Sequence, residues 1–240
     1  MKGKKSNVFI YMILTILAVV FLAPIFIILF NSFKGKLYIS DAPFKLPTAE
    51  TFSGLQNYID GLSKTGFLSA FGWSIFITFF STIVIVLFTA MTGWYITRSK
   101  TKVSTSLYFI FVFSMIVPFQ MVMFTMSKVA NMLNLDNPVG LIVLYIGFGA
   151  GLSIFMFSGF VKSIPIDIEE AALIDGCNPI KTFFLIVLPL LKPICITVAI
   201  LNVMWIWNDY LLPSLVLKSD YKTIPMAVQY LRGGYGAIDM

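Results

Sequence analysis

The sequence predicts an all-α polytopic membrane protein, and three observations carry that reading. Of the 240 residues 58% are hydrophobic and only 12% charged, where soluble domains carry about a quarter charged. The apolar residues gather in five long runs, most of them uncharged and of helical rather than strand length. Basic residues cluster just outside the ends of those runs, as they do in cytoplasmic loops. With mean hydropathy +0.91, the chain is built for lipid as its solvent.

Lys2, Lys4 and Lys5 precede an uncharged run from Val8 to Phe30. At a rise of about 1.5 Å per residue it crosses a hydrocarbon core of roughly 30 Å. The run is longer than a signal-peptide core and no small-residue cleavage site follows, so it reads as a retained anchor with a cytoplasmic N-terminus. From Asn31 to Gly66 the chain is polar, and Phe52, Leu55, Ile59 and Leu62 recur at helical spacing. That spacing predicts a short amphipathic helix on the outer face. Residues 1–66 thus form an anchor plus an extracytoplasmic segment, and 67–240 form the main transmembrane domain.

Phe67 to Ile96 is the second predicted span, ending on Trp94 and Tyr95, and Arg98, Lys100 and Lys102 place its end in the cytoplasm. Val103 to Ser127 is the third, divided by Pro118. Gln120, just beyond that proline, is expected to avoid lipid, either bonding to a neighbouring helix or lining a polar path. Lys128 to Asn137 reads as an outer loop, and Pro138 to Val161 as the fourth span. Gly147, Gly149 and Gly151 follow no strand and precede no Gly-Lys-Ser/Thr, so close helix packing is expected there rather than a nucleotide site.

Pro193 to Asn208 is the fifth and weakest span, reaching only about 24 Å unless Leu190 and Leu191 extend it while Lys192 snorkels. Asn202 lies within it, a second candidate for a pathway or for helix packing. Trp205, Trp207 and Tyr210 bracket Asn208 and Asp209, which reads as an aromatic belt at the outer interface with polar groups at the water boundary. Beyond Ser214, Lys218, Asp220, Lys222, Arg232 and Asp239 interrupt every apolar run, so no sixth span is expected within these residues.

Several function classes are set aside by composition. A net charge of +6 fits basic residues facing anionic lipid, and no basic patch interleaves with aromatics in a soluble segment, so nucleic acid is not an expected partner. The chain has no histidine, and its two cysteines, Cys177 and Cys195, fall near the reducing side. Neither a zinc site, a disulfide nor a general base is expected, and the chain reads as no enzyme with no cofactor of its own.

One polar stretch, from Lys162 to Lys192, interrupts the apolar chain. Asp167 with Glu170 has capping-box spacing, and Ala171, Ala172 and Leu173 favour helix, so a short helix from about Asp167 to Asp175 is predicted. Gly176 ends it, and Asn178 with Pro179 starts a second helix that Pro189 and Pro193 then break or kink. Such a hairpin between spans is either a docking element for a soluble partner or a solvated connection, and helix signals leave both open.

Glu170-Ala171-Ala172, then Asp175-Gly176, then Ile186-Val187-Leu188-Pro189 after nine residues resembles the EAA loop of ABC importer permeases. In that family the loop is a coupling helix seated in a cleft of a cytoplasmic ATPase. The resemblance implies that Glu170, Ala171, Ala172, Asp175, Gly176 and Pro189 couple to the ATPase, with Glu170 the charged contact, Ala171 and Ala172 permitting close approach and Gly176 the turn, while Asp175 either couples or only shapes the turn and Pro189 either couples or is purely structural. Asn208 within Trp207-Asn208-Asp209, followed by Pro213, resembles the carbohydrate group, in the style of the second permease of the maltose transporter. The implied partners are an ABC ATPase dimer that uses the ATP, a second permease subunit, an extracytoplasmic solute-binding protein and the bilayer of a bacterial cell membrane. Relatives have six spans, so the resemblance also implies a partial chain. Trp73 stands where many relatives carry asparagine.

Two other readings predict different features. A secondary carrier needs charged residues inside its spans and an inverted repeat. The first four runs hold no Asp, Glu, Lys or Arg and no repeat is visible. A membrane scaffold would need neither the loop's full pattern nor Gln120 and Asn202. With no P-loop in the chain, ATP-driven transport depends on a separate ATPase.

Overall fold

The structure, a computed structural model, describes the backbone of residues 3–230 and the side chains of residues 8–229. The side chains of Lys2, Lys4 and Lys5, like Arg232 and Asp239, lie outside the described residues. The described residues fall into two compact units, 3–67 and 68–229. Among the described residues every element is helical apart from one antiparallel bridge between Lys34 and Phe52.

The first unit holds α1 (Gly3–Asn31), α2 (Lys36–Asp41) and α3 (Gln56–Thr65). The stretch Val8–Asn31 has mean hydropathy 3.1 and is long enough to cross a membrane, as expected. The predicted amphipathic helix is α3, but it begins at Gln56 and leaves Phe52 outside. There the backbone is engaged elsewhere: Ser53 N donates to Phe33 O at 2.8 Å and Gly35 N to Thr51 O at 2.9 Å. A ladder that satisfies these amides removes the reason for a helix to extend over them.

The second unit runs through α4 (Phe67–Ser99), α5 (Lys102–Ser114), α6 (Phe119–Met132) and α7 (Pro138–Val161). It continues with α8 (Asp167–Ile174), α9 (Pro179–Thr182), a π-helical turn over Phe183–Val187 and α10 (Leu188–Leu190). The last elements are α11 (Lys192–Asn208), α12 (Leu211–Val216) and α13 (Ile224–Tyr230). Local chemistry sets the starts. The Thr101 hydroxyl accepts from Ser104 N at 3.1 Å to open α5, and Asn137 Oδ1 accepts from Gly140 N at 3.0 Å with Pro138 in the first turn of α7.

Among the described residues three helices, α1, α4 and α7, are long and apolar enough to cross unbroken, and counting each of two bent pairs as one crossing gives five. The predicted third span is one of these pairs: α5 and α6 meet at 103° rather than forming one kinked helix. Pro118 lacks an N–H and its ring excludes the carbonyl four residues back, and α5 accordingly stops at Ser114. Freed from the line of α5, α6 continues to Met132, inside the stretch from Lys128 expected to be loop. The other pair bends by 77° between α10 and α11, where Pro189 and Pro193 stand.

Both main apolar clusters are organised on α4 and α7. One contains Ile77, Ile85, Leu141 and Tyr145 with Ile206 and Leu212, and the other Ala90, Phe157 and Val161 with Phe183, Val187, Leu191 and Val198. At Gly149 a Cβ would stand 2.8 Å from Ile85 Cδ1 and 2.9 Å from Asn202 Oδ1, so three helices meet over a bare backbone. A Cβ on Gly151 would likewise stand 2.7 Å from Phe111 O, whereas Gly147 faces open space. Only two of the three glycines therefore serve the packing expected of them.

Candidate functional site

The polar hairpin starts from the carbonyl of Ile166, which accepts from Glu169 N at 2.9 Å and Glu170 N at 3.0 Å. Ile166 itself has helical angles and no side chain caps α8, so the capping box expected between Asp167 and Glu170 does not form. Helical geometry has already begun one residue earlier, which carries Asp167 inside the first turn. There Asp167, Glu169 and Glu170 still complement the positive end of the helix.

One acid then turns inward. Glu169 is 7% exposed. Its Oε1 accepts from Arg98 Nε at 2.8 Å and Nη2 at 2.7 Å, and its Oε2 accepts from Trp94 Nε1 at 2.8 Å. The Arg98 Nη2 also donates to Ile164 O at 2.9 Å. A planar guanidinium gripping one carboxylate in this way is directional as well as strong. The indole of Trp94 lies 5.4 Å from the Phe183 ring, so the same side chain that bonds α8 packs on the returning arm. Both arms of the hairpin are thereby clamped to the end of α4.

The turn is closed by backbone bonds. Gly176 N donates to Leu173 O and Cys177 N to Ala172 O, both at 3.0 Å, with Gly176 at φ +82°. That left-handed angle suits glycine and strains other residues. Asn178 Oδ1 accepts from Lys181 N at 2.8 Å and Pro179 opens α9, as its sequence predicts.

The hairpin now has two faces. Glu169 and Ala172, three residues apart, are buried, while Glu170, Ala171, Asp175, Gly176 and Pro189 are exposed. The two alanines thus part company, one inward and one outward. Beside Glu170, Leu173 is 53%, Ile174 87% and Ile180 67% exposed, an apolar tip next to acids on a polar loop. Glu169 went unnoticed in the sequence because its neighbour Glu170 carries the motif. Its signal was Trp94 and Arg98, four residues apart and so on one helix face, which together call for a carboxylate.

Gln120, Asn202 and Asn208 are not brought together. Gln120 is exposed near the start of α6. Asn202 is buried and its Nδ2 donates to Val198 O at 2.8 Å and Ser153 Oγ at 3.3 Å, tying α11 to α7. Asn208 Nδ2 bonds back to Met204 O at 2.7 Å on an exposed surface. Asp209 is not merely at a water boundary. Tyr145 Oη donates to its Oδ2 at 3.0 Å, and its Oδ1 accepts from Leu211 N at 2.9 Å, so it joins α7 to the start of α12. Tyr145→Phe is expected to lower stability by about 1 kcal/mol, read as thermal unfolding in detergent. An unchanged melting temperature would show that the backbone amides alone hold Asp209.

A family model described as the binding-protein-dependent transport system inner membrane component matches residues 85–233. The chain is 39% identical over 221 residues to a probable starch degradation products transport system permease protein of Thermoanaerobacterium thermosulfurigenes, covering 92% of this chain and 80% of that one. It is 34% identical to the multiple sugar-binding transport system permease protein of Streptococcus mutans, covering 98% and 85%. It is 31% identical to the melibiose/raffinose/stachyose import permease protein of Bacillus subtilis, covering 86% and 74%. A chain in the crystal structure of a bacterial ABC transporter involved in the import of alginate superposes with TM-score 0.78 at 24% identity, over 96% of this chain and 80% of that one. That likeness speaks for the fold. The family match spans the clamped hairpin and the helices that clamp it, and the chain belongs to the binding-protein-dependent transport system inner membrane components, the permease subunits of ABC importers.

Proposed function

We propose that this chain is one of two permeases in an ATP-driven importer of a sugar or oligosaccharide in a bacterial cell membrane. Its partners are an ABC ATPase dimer, a second and different permease subunit, and an extracytoplasmic solute-binding protein, with its own N-terminus in the cytoplasm. It carries no cofactor, and the ATP is used by the partner. The sugar class rests on the printed names of the relatives above.

The observation that carries the mechanism is the two-faced hairpin. A docking tip that is joined firmly to a long span transmits a displacement, while a tip on a slack loop absorbs it. Here the exposed tip of Glu170, Ile174 and Ile180 is backed by the Arg98–Glu169 pair and by Trp94 on Phe183. Closure of the ATPase around ATP would push that tip and tilt α4, biasing the bundle between inward-open and outward-open states. Such a bias exists only where the ATPase binds the two states differently.

Glu170→Lys, Ile174→Asp and Gly176→Val test the reading on exposed positions. Membrane levels are expected to hold while ATPase co-purification and ATP-dependent uptake fall about tenfold, the loss of about 1.4 kcal/mol of binding. Normal uptake and co-purification in all three would sink the assignment. Uptake of sugars against amino acids in reconstituted vesicles separates the sugar reading from other solutes.

A further inference from the structure

One helix of the first unit is turned inside out. Asn57 of α3, half-buried, donates from Nδ2 to Ser32 O at 2.8 Å and to Lys34 O at 2.7 Å, just past the end of α1. Tyr58 Oη and Ser32 Oγ bond to each other at 2.6 Å, and the Tyr58 ring lies 5.6 Å from that of Phe33. Polar groups therefore join α3 to the rest of the unit. The apolar residues turn away from it: Leu55 is 63%, Ile59 58% and Leu62 51% exposed, and their spacing of four and three puts them on one helix face. Folding in water buries such a stripe and leaves the amides outside. Here the order is reversed.

The attachment fixes the level at which this stripe lies. The apolar stretch Val8–Asn31 of α1 ends immediately before Ser32, so α3 is held where hydrocarbon gives way to headgroups. The side chains at that junction are paired within the protein. Lys34, buried, donates from Nζ to Asn31 Oδ1 at 2.9 Å and Ala42 O at 2.8 Å and stands 5.2 Å from the centre of the Phe30 ring. Asn31 Nδ2 donates in turn to Ile27 O at 2.8 Å and Pro43 O at 2.6 Å. At the edge of lipid, where water is scarce, polar groups need such internal partners. Tyr58, with its ring on Phe33 and its hydroxyl on Ser32, is the amphipathic kind of aromatic that marks a membrane–water boundary.

We propose that α3 is an interfacial anchor, lying in the bilayer surface with Leu55, Ile59 and Leu62 among the first carbons of the acyl chains and Gln56 and Lys64 toward the headgroups. The bilayer is the occupant of the apolar face because α3 is tied to the end of a membrane-crossing helix, and lipid at that depth buries the stripe without a further partner. So placed, α3 sets how deep the end of α1 sits. The assignment requires only that α1 crosses a membrane and stands apart from the transport reading.

Nitroxide labels on single cysteines test the anchor in the full chain, held in phosphatidylcholine nanodiscs on a background of Cys177→Ser with Cys195→Ser. The labelled positions, Leu55, Gln56, Ile59, Leu62 and Lys64, are all exposed. Oxygen concentrates in hydrocarbon, and a nickel chelate stays in water. Relaxation by oxygen is expected to exceed relaxation by nickel at Leu55→Cys, Ile59→Cys and Leu62→Cys, at a depth of about 5–10 Å into the boundary between headgroups and acyl chains. At Gln56→Cys and Lys64→Cys the order should reverse. Greater access of nickel than of oxygen at the apolar positions would put the helix in water and overturn the proposal. Exclusion of both reagents there would overturn it as well, since a protein surface would then cover the stripe. Equal depth on the two faces would do the same, because an interfacial helix keeps its polar side out of the acyl chains.

Discussion

Glu169→Ala is expected to destabilise the protein by about 3 kcal/mol and to abolish uptake while leaving the spans inserted. The carboxylate is buried among Arg98 Nε and Nη2 and Trp94 Nε1, and its removal strands a guanidinium whose side chain is only 18% exposed. Partial access of Arg98 to water places the loss at the lower end for a broken buried pair. Glu170→Ala, one residue away and exposed, should stay within about 0.5 kcal/mol. Denaturant titration in bicelles separates the two, and a cycle with Arg98→Ala isolates their coupling. Equal effects of the two glutamates, or a coupling near zero, would show that the hairpin is not held through Glu169. Glu169→Gln should fall between, since an amide oxygen can still accept from Trp94 but carries no charge for Arg98.

The second large effect lies where α6 turns into α7. A Cβ on Gly140 would overlap the Leu135 carbonyl oxygen and Cα, backbone atoms that cannot swing aside. Leu135 is itself held by its N–H on Ala130 O at 2.8 Å, and Gly140 by its N–H on Asn137 Oδ1 at 3.0 Å. Gly140→Ala is therefore expected to cost about 3 kcal/mol, the upper part of the range for overpacking. Gly147→Ala, two turns along the same helix and facing open space, should be neutral or stabilise by up to about 1 kcal/mol. Thermal unfolding of both in one detergent checks the contrast. A melting point for Gly140→Ala equal to that of Gly147→Ala would mean that the connection gives way easily.

Gly176→Val and Gly140→Ala separate two kinds of position within the proposed mechanism. Gly176→Val strains a turn that projects from the bundle, so its effect belongs to coupling more than to stability. Gly140→Ala strains a joint inside the bundle, and its effect belongs to folding.

Much of the architecture was legible in the chain because it follows from local chemistry. Lipid-soluble runs, the Asn137-Pro138 and Asn178-Pro179 starts and the left-handed Gly176 depend on a few adjacent residues, and each stands in the structure where its sequence places it. The family motif around Glu170 was legible for the same reason, since its spacing is linear. What spacing could not convey was direction. Pro118 announces a break but not its 103° angle, because the angle depends on what α5 and α6 pack against. Gly147, Gly149 and Gly151 look alike in sequence, yet only two of them meet another backbone or side chain.

The division between Glu169 and Glu170 is the sharpest case. By itself the sequence determined a helical membrane chain with an acidic, glycine-turned hairpin between two spans, since composition and spacing are properties of the chain alone, and only the hairpin's resemblance to a family loop implied a permease. Only the tertiary structure decided which acid faces out and which is buried on Arg98 and Trp94, residues 71 and 75 positions away in sequence. Successive residues on a helix point about 100° apart, and which of them faces inward is settled by the partner that comes to meet it.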